Sequence, residues 1–383
     1  MGSQLGFIAP DRADPGFCVI PQIMDLVLMA VRRYTDGWTA LRFAVEPNRT
    51  HEEGSMVVYF RIAVALLICC VVPSSVIAQE KPKIFLGASS KTLGYSPLWV
   101  GARKGFFEQQ GLDVQLVLLR GMPMTVQALS AGSLHIASGG AEPYIDASER
   151  GLDFILTGGV INGTAQFIIA AKNIKTYEDL RGATFGTASL TGGTITVLRE
   201  ALKLKGLEYP RDYKLLIIAG GSATNLAALQ SGQISATTVA VPLNYAAEEA
   251  GFNVIGKLSD GVPYFQTNVI ATRRSWAEKN RPVMVRFMRA MVESLRWLHE
   301  NREAAIDFLA KEMQLKPAHA RKGWEFYTQN RFWPPDGEVT IEGLKYNIRI
   351  YAEQTGAKGP LPEPGKFVDQ SYLYAALKDF RAR

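Results

Sequence analysis

Short apolar runs alternate with amphipathic stretches from residue 83 to residue 258, and this alternation predicts strands connected by helices. KIFLGA (83–88) and LHIAS (134–138) have the length of buried strands, whereas MTVQALSAG (124–132) spaces its apolar residues like a helix and ends at glycine. Strands separated by helices predict a parallel sheet, because each connection needs a right-handed crossover. The pattern therefore predicts an α/β fold in which the unit β-α-β-α-β-α-β occurs twice.

Two elements near the start of the first unit are predicted with defined boundaries. LWVGARKGFFEQQ (98–110) is predicted to form one amphipathic helix that ends at Gly111, where a left-handed residue fits. DVQLVLL (113–119) is predicted to be a strand that is buried on most of its surface.

The two units share a sequence pattern at an offset of 100 residues. ALSAGSLHIASGG (128–140) matches ALQSGQISATTVA (228–240), and ERGLDFI (149–155) falls opposite EAGFNVI (249–255). Because the register agrees at both ends of this window, we interpret the chain as two lobes of the same plan that arose by duplication. Chance recurrence of βα patterns is the alternative interpretation.

Two extended segments and a helical tail complete the predicted organisation. QFIIAAKNI (166–174) leaves the first lobe and YFQTNVIATRRS (264–275) returns from the second, which is typical of a two-stranded hinge. The tail after residue 281 has helical periodicity and is expected to cover the first lobe. We therefore assign residues 79–170 and 265–383 to lobe 1 and residues 171–264 to lobe 2.

The stretch 56–78 has the organisation of a secretory signal peptide. It carries one positive charge, Arg61, followed by an apolar run at 62–72, a Pro-Ser-Ser break and small residues before Gln79. The apolar run of about 11 residues is too short to cross a bilayer core of about 30 Å. A membrane anchor, lipoprotein cleavage at Cys69 and a buried core segment are the alternatives.

Residues 1–55 precede this stretch and show no clear period. We expect them to be a non-native or disordered extension, with Met56 as the true first residue and Gln79 as the start of the mature chain. The predicted location is the periplasm, reached through the cleavable signal peptide.

The composition favours a globular protein and excludes several functional classes. With 47% hydrophobic and 20% charged residues the chain can bury a large core. The net charge of +6 is not concentrated in basic runs interleaved with aromatic residues, so nucleic acid is not an expected partner. Cysteines occur only at positions 18, 69 and 70, and neither H-E-x-x-H nor G-x-S-x-G occurs. We predict no metal, no cofactor and no enzymatic activity.

Three stretches carry a resemblance to a known family: GYSPLWVGARKGFFEQQGLDVQLV (94–117), ALSAGSLHIASGG (128–140) and IKTYEDLRGATFGTASLTGGT (174–194). Over residues 82–300 the chain resembles extracytoplasmic solute-binding proteins of ABC importers, in the nitrate, sulfonate and taurine group that includes binders of thiamine-pyrimidine precursors. The resemblance implies a type II periplasmic-binding-protein fold with extra C-terminal helices, a ligand between the lobes, and permease and ATPase subunits in the inner membrane as partners of a monomer. The iron- and cysteine-bearing motif of the related pyrimidine-synthesising enzymes is missing.

Candidate ligand-binding residues follow the strands, because ligands of parallel α/β sheets bind beyond the carboxyl ends of the strands. The stretch 191–194 (TGGT) combines glycines and hydroxyls at a helix N-terminus, which favours a carboxylate, sulfonate or phosphate; an ordinary glycine-rich turn is the alternative. The candidates are Ser89, Ser90, Gly94, Tyr95, Ser138, Gly139 and Gly140 in the first lobe and Thr187, Ser189, Thr191, Gly192, Gly193, Thr194 and Asn244 in the second.

Several further residues have two interpretations. Tyr95 either contacts the ligand or wedges its helix against the sheet, and Arg120 either reaches the cleft or remains an ordinary surface arginine. Glu142 follows a candidate loop but has no evident partner for acid–base chemistry. Asn162 and Tyr264 are candidate rim residues, whereas Trp99, Phe106 and Phe107 are expected in the core and His135 as a satisfied histidine in a strand.

The candidate list is rich in Ser, Thr and Gly and contains no evident acidic residue for an amine. It predicts a small organic anion or a neutral polar heterocycle, bound when the lobes close about the hinge. A ligand-sensing domain for a signalling partner and a thiamine-pyrimidine-precursor binder are the alternatives, and an enzyme on the same fold is a further one.

Overall fold

The computed structural model of the chain describes residues 81–381, apart from residue 120, residues 191–192 and residues 219–220. The predicted extension (1–55) and signal peptide (56–78) lie outside the described residues, and so do Arg120, Thr191 and Gly192. The described part is built on two separate sheets flanked by helices, as the two-lobed α/β prediction requires.

The strands are short and mostly apolar, as their sequence patterns predict. In chain order they are β1 (Lys83–Ala88), β2 (Asp113–Leu118), β3 (Ile136–Gly139), β4 (Phe154–Asn162), β5 (Gln166–Ala170), β6 (Thr184–Thr187), β7 (Lys214–Ile217), β8 (Ala236–Ala240), β9 (Asn253–Lys257) and β10 (Gln266–Arg273). The first sheet has the order β2-β1-β3-β10-β4, and the second has the order β7-β6-β8-β5-β9.

Each sheet contains one antiparallel strand next to a crossover, and that of the first sheet comes from beyond the second lobe. β10 follows the second lobe but runs antiparallel between β3 and β4 of the first sheet. β5 follows the first lobe and runs antiparallel between β8 and β9 of the second sheet. The prediction of a purely parallel sheet is therefore wrong at this place, because the chain crosses between the lobes there and returns in the opposite direction.

The repeat of 100 residues in the sequence corresponds to a repeat in the structure. β3 begins at Ile136 and follows a helix that ends at residue 130. β8 begins at Ala236 and follows a helix that ends at residue 230. Gly132 and Gly232 have φ angles of 80° and 76°, so the matched glycines end equivalent helices in the left-handed conformation that glycine tolerates best. The prediction of two lobes with the same plan is confirmed.

The helices cover the faces of both sheets and form the tail of the chain. They are α1 (Ser96–Arg103), α2 (Phe106–Gln109), α3 (Met122–Ser130), α4 (Ala141–Glu149), α5 (Gly193–Lys203), α6 (Ser222–Gln230), α7 (Leu243–Glu249), α8 (Arg274–Lys279), α9 (Arg281–Glu300), α10 (Arg302–Glu312), α11 (Pro317–Gln329), α12 (Ile341–Thr355) and α13 (Ser371–Arg381). Among the described helices, none has the length and apolar character of a membrane-spanning segment.

Two predictions for the first lobe are wrong in detail. The single helix predicted at 98–110 is divided into α1 and α2 by Gly105, whose φ of 75° ends the first helix although the apolar spacing continues beyond it. β2 lies at the edge of its sheet, so the strand is only partly buried and Leu118 is 53% exposed.

Two crossover segments connect the lobes side by side. Residues 163–165 lead from β4 to β5, and residues 258–265 lead from β9 to β10. The backbone N–H of Gly163 donates to the carbonyl of Phe265 at 2.6 Å, and the Thr267 hydroxyl donates to the Gly163 carbonyl. The predicted pair of crossovers is present. β5, which begins at Gln166, pairs within the second sheet although it precedes the suggested boundary at residue 171.

The C-terminal helices pack on the first lobe, as predicted, and also reach the second. α9 packs on α1, α2 and α13, and α12 packs on α4. On one side of the molecule the His319 ring of α11 contacts Glu249 at 2.7 Å; on another, Gln354 of α12 hydrogen-bonds Thr196 of α5. The expectation that the tail covers the first lobe is therefore incomplete, since α11 and α12 contact both lobes.

Candidate functional site

A polar cluster lies at the carboxyl ends of β1 and β3, where the two strands run parallel. The hydroxyls of Ser89 and Tyr95 share a hydrogen bond of 2.6 Å, and the backbone N–H of Ser89 donates to the carbonyl of Ser138 at 3.2 Å. The Ser138 hydroxyl donates to Oδ1 of Asn268 on β10 at 3.1 Å. Three predicted residues are thus brought together, and we call Ser89, Tyr95, Ser138 and Asn268 the first-lobe polar cluster.

Two glycines of the candidate list have different positions relative to this cluster. A Cβ atom at Gly139 would collide with Met122 and lie 3.2 Å from the Ser89 hydroxyl, so glycine lets the end of β3 approach the cluster closely. Gly94 is instead packed in the core, where its carbonyl accepts a hydrogen bond of 3.0 Å from the Trp333 indole.

Several buried polar atoms near the crossovers have no hydrogen-bond partner among the described residues. They include Nδ2 of Asn268 and the hydroxyl of Tyr144, each on a side chain that is 1% exposed, and the hydroxyl of Thr164. A buried polar group without a partner destabilises a fold by about 1–3 kcal/mol. Buried polar atoms without a protein partner are suited to bind a polar ligand.

The phenols around the cluster stay neutral and can donate hydrogen bonds. Burial raises the pKa of Tyr95, and its contacts with Ser89 and Asn268 oppose that rise. Burial also raises the pKa of the Tyr144 and Tyr327 hydroxyls, and the neighbouring Tyr95 raises both further. At neutral pH these groups therefore offer hydrogen-bond donors rather than negative charge.

The second lobe presents a less connected set of candidates. The buried Thr187 hydroxyl donates to the Ser189 carbonyl at 2.8 Å, and the Thr194 hydroxyl accepts a hydrogen bond of 3.2 Å from Gln166. Asn244 is fully buried at the start of α7, and its Oδ1 atom has no partner among the described residues. Of the remaining first-lobe candidates, Ser90 is half-buried and Gly140 immediately precedes α4.

Glu142 of the first lobe touches Gly193 of the second. A Cβ atom at Gly193 would lie 2.9 Å from Cδ of Glu142 and 2.6 Å from Cζ of Phe265. Oε1 of Glu142 accepts a hydrogen bond of 2.6 Å from Nδ2 of Asn347 on α12. Burial raises the pKa of the Glu142 carboxyl to about 7, while hydrogen bonds from its own backbone N–H and from Asn347 oppose that rise. Glu142 has no evident partner in its own stretch of sequence, and in the structure Asn347 is its hydrogen-bond partner.

Asn347 and Gln266 form a buried network at the base of the hinge. The Gln266 backbone N–H donates to Oδ1 of Asn347 at 3.0 Å, and the Gln266 amide donates to Oδ1 of Asn162 at 2.9 Å. Asn162, a predicted rim residue, is therefore hydrogen-bonded to Gln266, the residue that follows the second crossover. Tyr264, the other predicted rim residue, is 63% exposed.

Residues that sequence reasoning missed come from segments remote from the candidate loops. Asn268 and Gln266 lie on β10, and Asn347 lies on the tail helix α12. The available signal was the presence of two amides in QTNVIATR (266–273), a strand that is otherwise largely apolar and buried. An amide inside a buried strand needs a partner, which a search for polar residues in apolar strands would have found.

The residues assigned to the core lie there. Trp99 and Phe107 are buried and Phe106 packs against the same cluster. His135 immediately precedes β3, where its Nδ1 accepts the Phe85 N–H at 3.0 Å and its ring stacks on Phe85. The described residues contain no group of acidic residues, histidines and cysteines arranged to hold a metal ion.

A depression of about 580 Å³ lies at the opposite end of the first sheet, where β1 and β2 begin. Its lining includes Lys81 and Glu108, which form an exposed ion pair at 3.3 Å. An exposed ion pair contributes little to binding or stability. The polar cluster at the carboxyl ends of the strands is the better candidate, because that edge is where α/β sheets bind ligands.

The chain is similar to proteins named as sulfonate-binding, formylaminopyrimidine-binding and nitrate-binding. A putative aliphatic sulfonates-binding protein of Escherichia coli is 30% identical over 238 residues, which cover 61% of this chain and 70% of that protein. The formylaminopyrimidine-binding protein of Halalkalibacterium halodurans is 22% identical over 219 residues, 55% of this chain and 64% of that protein. The periplasmic nitrate-binding protein NrtA of Synechocystis PCC 6803 shares the fold with a TM-score of 0.64 and 14% identity, over 79% of this chain and 90% of that one.

The family is shown by a match between the sequence and a family model. Residues 93–305 match the family model described as NMT1/THI5 like. This range includes the second lobe, both crossovers and the strands of the first sheet except β1, together with Tyr95, Ser138 and Asn268 of the polar cluster. The chain belongs to the NMT1/THI5-like family.

Proposed function

We propose that this protein is the solute-binding component of an ABC importer, which acts in the periplasm and closes its two lobes on a small polar organic molecule. One observation carries the proposal: the first-lobe polar cluster lies beside the crossovers and includes a buried amide donor without a partner. The sulfonate, pyrimidine and nitrate binders named above support the same class of function.

Closure about the two crossovers is the proposed mechanism. The contacts between Gly163 and Phe265 hold the crossovers together, so the lobes can rotate about one short hinge. A ligand that bridges the lobes makes contacts that only the closed state offers, and this differential affinity shifts the population. A shift from 1:99 to 99:1 requires a difference of about 5.5 kcal/mol. The permease then recognises the closed lobes.

The chemistry of the cluster favours an organic molecule with hydrogen-bond acceptors. The four described residues of the cluster supply two hydroxyls, one phenol and one amide, and none of the four is charged. Such groups bind a sulfonate, a carboxylate or the ring acceptors of a heterocycle by hydrogen bonds rather than by countercharge. A small organic anion and a polar heterocycle therefore both remain within the proposal.

Binding rather than turnover is proposed because no acid–base pair accompanies the cluster. Glu142 is held by an amide, Asn347, and not by a second titratable group. A sensory role would use the same cleft with a signalling protein as partner. Catalytic turnover of a bound compound would contradict the proposal, whereas reconstituted uptake with a permease and an ATPase would separate transport from sensing.

The first test is a thermal-shift screen of the purified protein. Taurine, ethanesulfonate, nitrate, benzoate and an aminopyrimidine represent the ligand classes considered. At least one is expected to raise the melting temperature in proportion to the logarithm of its concentration, as a ligand that binds only the folded state does. The absence of any shift across these classes would contradict the proposed function.

A substitution at Asn268 tests the cluster itself. Asn268→Asp keeps an oxygen for Ser138 but removes the Nδ2 donor, so it is expected to weaken binding of an anionic or acceptor-bearing ligand about tenfold. Isothermal titration calorimetry measures the change, and Asn330→Asp on the exposed end of α11 is the matched control. Unchanged affinity of Asn268→Asp would show that the cluster is not part of the binding site.

A further inference from the structure

Glu142 places a carboxyl group in the gap between the lobes, beside Gly193, a described glycine of the predicted anion site. Its side chain is 9% exposed and lies against Gly193, the first residue of α5. The N-terminal end of a helix favours negative charge. Here the carboxyl of the opposite lobe lies against that end, so an anionic group of a ligand would meet a like charge whenever Glu142 is ionised.

The same carboxyl lies next to the first-lobe polar cluster. A Cβ atom at Gly140 would lie 3.6 Å from Oε2 of Glu142, and one at the preceding Gly139 would lie 3.2 Å from the Ser89 hydroxyl. Gly139 and Gly140 thus lie between the hydrogen-bond donors of the polar cluster and the Glu142 carboxyl, which is a hydrogen-bond acceptor. A ligand that reaches both sides would need an acceptor or anionic end for the cluster and a donor for Glu142.

The surroundings of Glu142 leave its charge uncompensated. The groups described in contact with its carboxyl are the Asn347 amide and Gly193, neither of which is charged. The other titratable residues on the helices packed here are Tyr144, Asp146 and Glu149 of α4, Glu342, Lys345, Tyr346, Arg349, Tyr351 and Glu353 of α12, and Arg199, Glu200 and Lys203 of α5; Arg349 is paired with Glu353. Burial is the largest cause of the raised pKa of Glu142. The carboxyl therefore changes between its neutral and ionised forms near neutral pH.

We infer that Glu142 determines which solutes the cleft accepts, by receiving an amine or ring N–H of the ligand and by disfavouring an anionic group at the N-terminal end of α5. The inference rests on the proposed function and narrows it to solutes with an acceptor or anionic end and a donor end. Amino-sulfonates and amino-substituted heterocycles have both ends, whereas nitrate and simple alkanesulfonates lack the donor. An ionised carboxylate and an ammonium group form a strong, charge-assisted hydrogen bond.

The test compares ligands that differ only in the donor. Taurine is paired with ethanesulfonate, and 4-aminopyrimidine with pyrimidine, in calorimetric titrations of the wild-type protein, of Glu142→Gln and of Glu363→Gln. Glutamine keeps an oxygen for Asn347 but cannot carry negative charge, and Glu363 is an exposed matched control. For at least one pair, the wild type and Glu363→Gln are expected to bind the donor-bearing member about tenfold more tightly, and Glu142→Gln to lose most of that preference.

The dependence on pH distinguishes a ligand contact from a merely structural role. Because the alkylammonium group stays charged across neutrality, the preference for taurine over ethanesulfonate should rise as the pH is raised through about 7 and Glu142 ionises. It should be nearly constant in Glu142→Gln. Equal affinity within each pair in the wild type, or a preference that persists in Glu142→Gln, would overturn the inference while leaving the proposed function standing. If no member of either pair and no other compound of the screen binds, both the function and the inference fall.

Discussion

Gly193→Val is expected to weaken ligand binding about 10- to 100-fold while leaving the unliganded protein folded. A Cβ atom at this position would lie 2.6 Å from the Phe265 ring and 2.9 Å from Cδ of Glu142. Glu142 belongs to the first lobe, so carbons added at Gly193 hold that carboxyl away from α5 and penalise the closed state. Phe265 lies on the crossover and packs in the core of the second lobe, so its ring must shift in the open state as well.

Titration calorimetry with whichever compound shifts the wild-type melting temperature measures the loss. Gly365→Val is the matched control, since a Cβ atom there meets no atom within 4 Å. Small-angle scattering provides a second measurement: the wild type should become more compact with ligand, and Gly193→Val should not. Wild-type affinity and compaction in Gly193→Val would show that the lobes do not close through this contact.

Trp333→Ala is expected to lower the free energy of unfolding by about 3–5 kcal/mol. The Trp333 side chain is fully buried and stacks on Tyr327 with ring centroids 4.7 Å apart. Its indole N–H donates to the carbonyl of Gly94, so the substitution leaves both a cavity and a buried carbonyl without its partner. The loss is a large fraction of the stability of a typical domain.

Thermal and urea-induced unfolding measure the effect, with a melting temperature expected to fall by roughly 5–15 °C. The matched control is Trp297→Ala, which removes a half-buried indole that stacks under Lys104 at 4.4 Å and should cost less than about 2 kcal/mol. Similar losses at the two tryptophans would contradict the assignment of Trp333 to the core. Ligand affinity should fall with Trp333→Ala as well, because Gly94 adjoins Tyr95 of the polar cluster.

Much of the fold could be predicted from the sequence because its patterns are local. The apolar runs defined the strands, and the matched glycines at 132 and 232 gave the two lobes a common register. The insertion of β10 into the first sheet could not be predicted, since pairing between strands more than 100 residues apart leaves no local pattern. The division of the predicted helix at Gly105 escaped for a related reason: one left-handed residue interrupts the helix without changing the apolar spacing around it.

The part of the candidate site that follows strands β1 and β3 could be predicted. The part contributed by β10 and α12, which return to the first lobe from later in the chain, could not. Ser89 and Ser138 meet because the carboxyl ends of neighbouring parallel strands lie at one edge, which follows from topology alone. Asn268 and Asn347 reach this edge only through β10 and α12, whose places are set by packing of the whole chain. The buried Glu142 was therefore read from the sequence as isolated, since its partner is 205 residues away.

The chain passes from the first sheet to the second at β5 and returns at β10, and this path affects how the protein can be made. β3 and β4 are joined through β10, so the first sheet stays open until Gln266–Arg273 has been synthesised and has folded back across more than 100 residues. Contacts of such long range slow folding. A fragment that stops before Gln266 would expose the edges of both strands, and such edges promote aggregation. The first lobe therefore depends on the returning strand, and a fragment that stops before Gln266 is not expected to fold as an independent module.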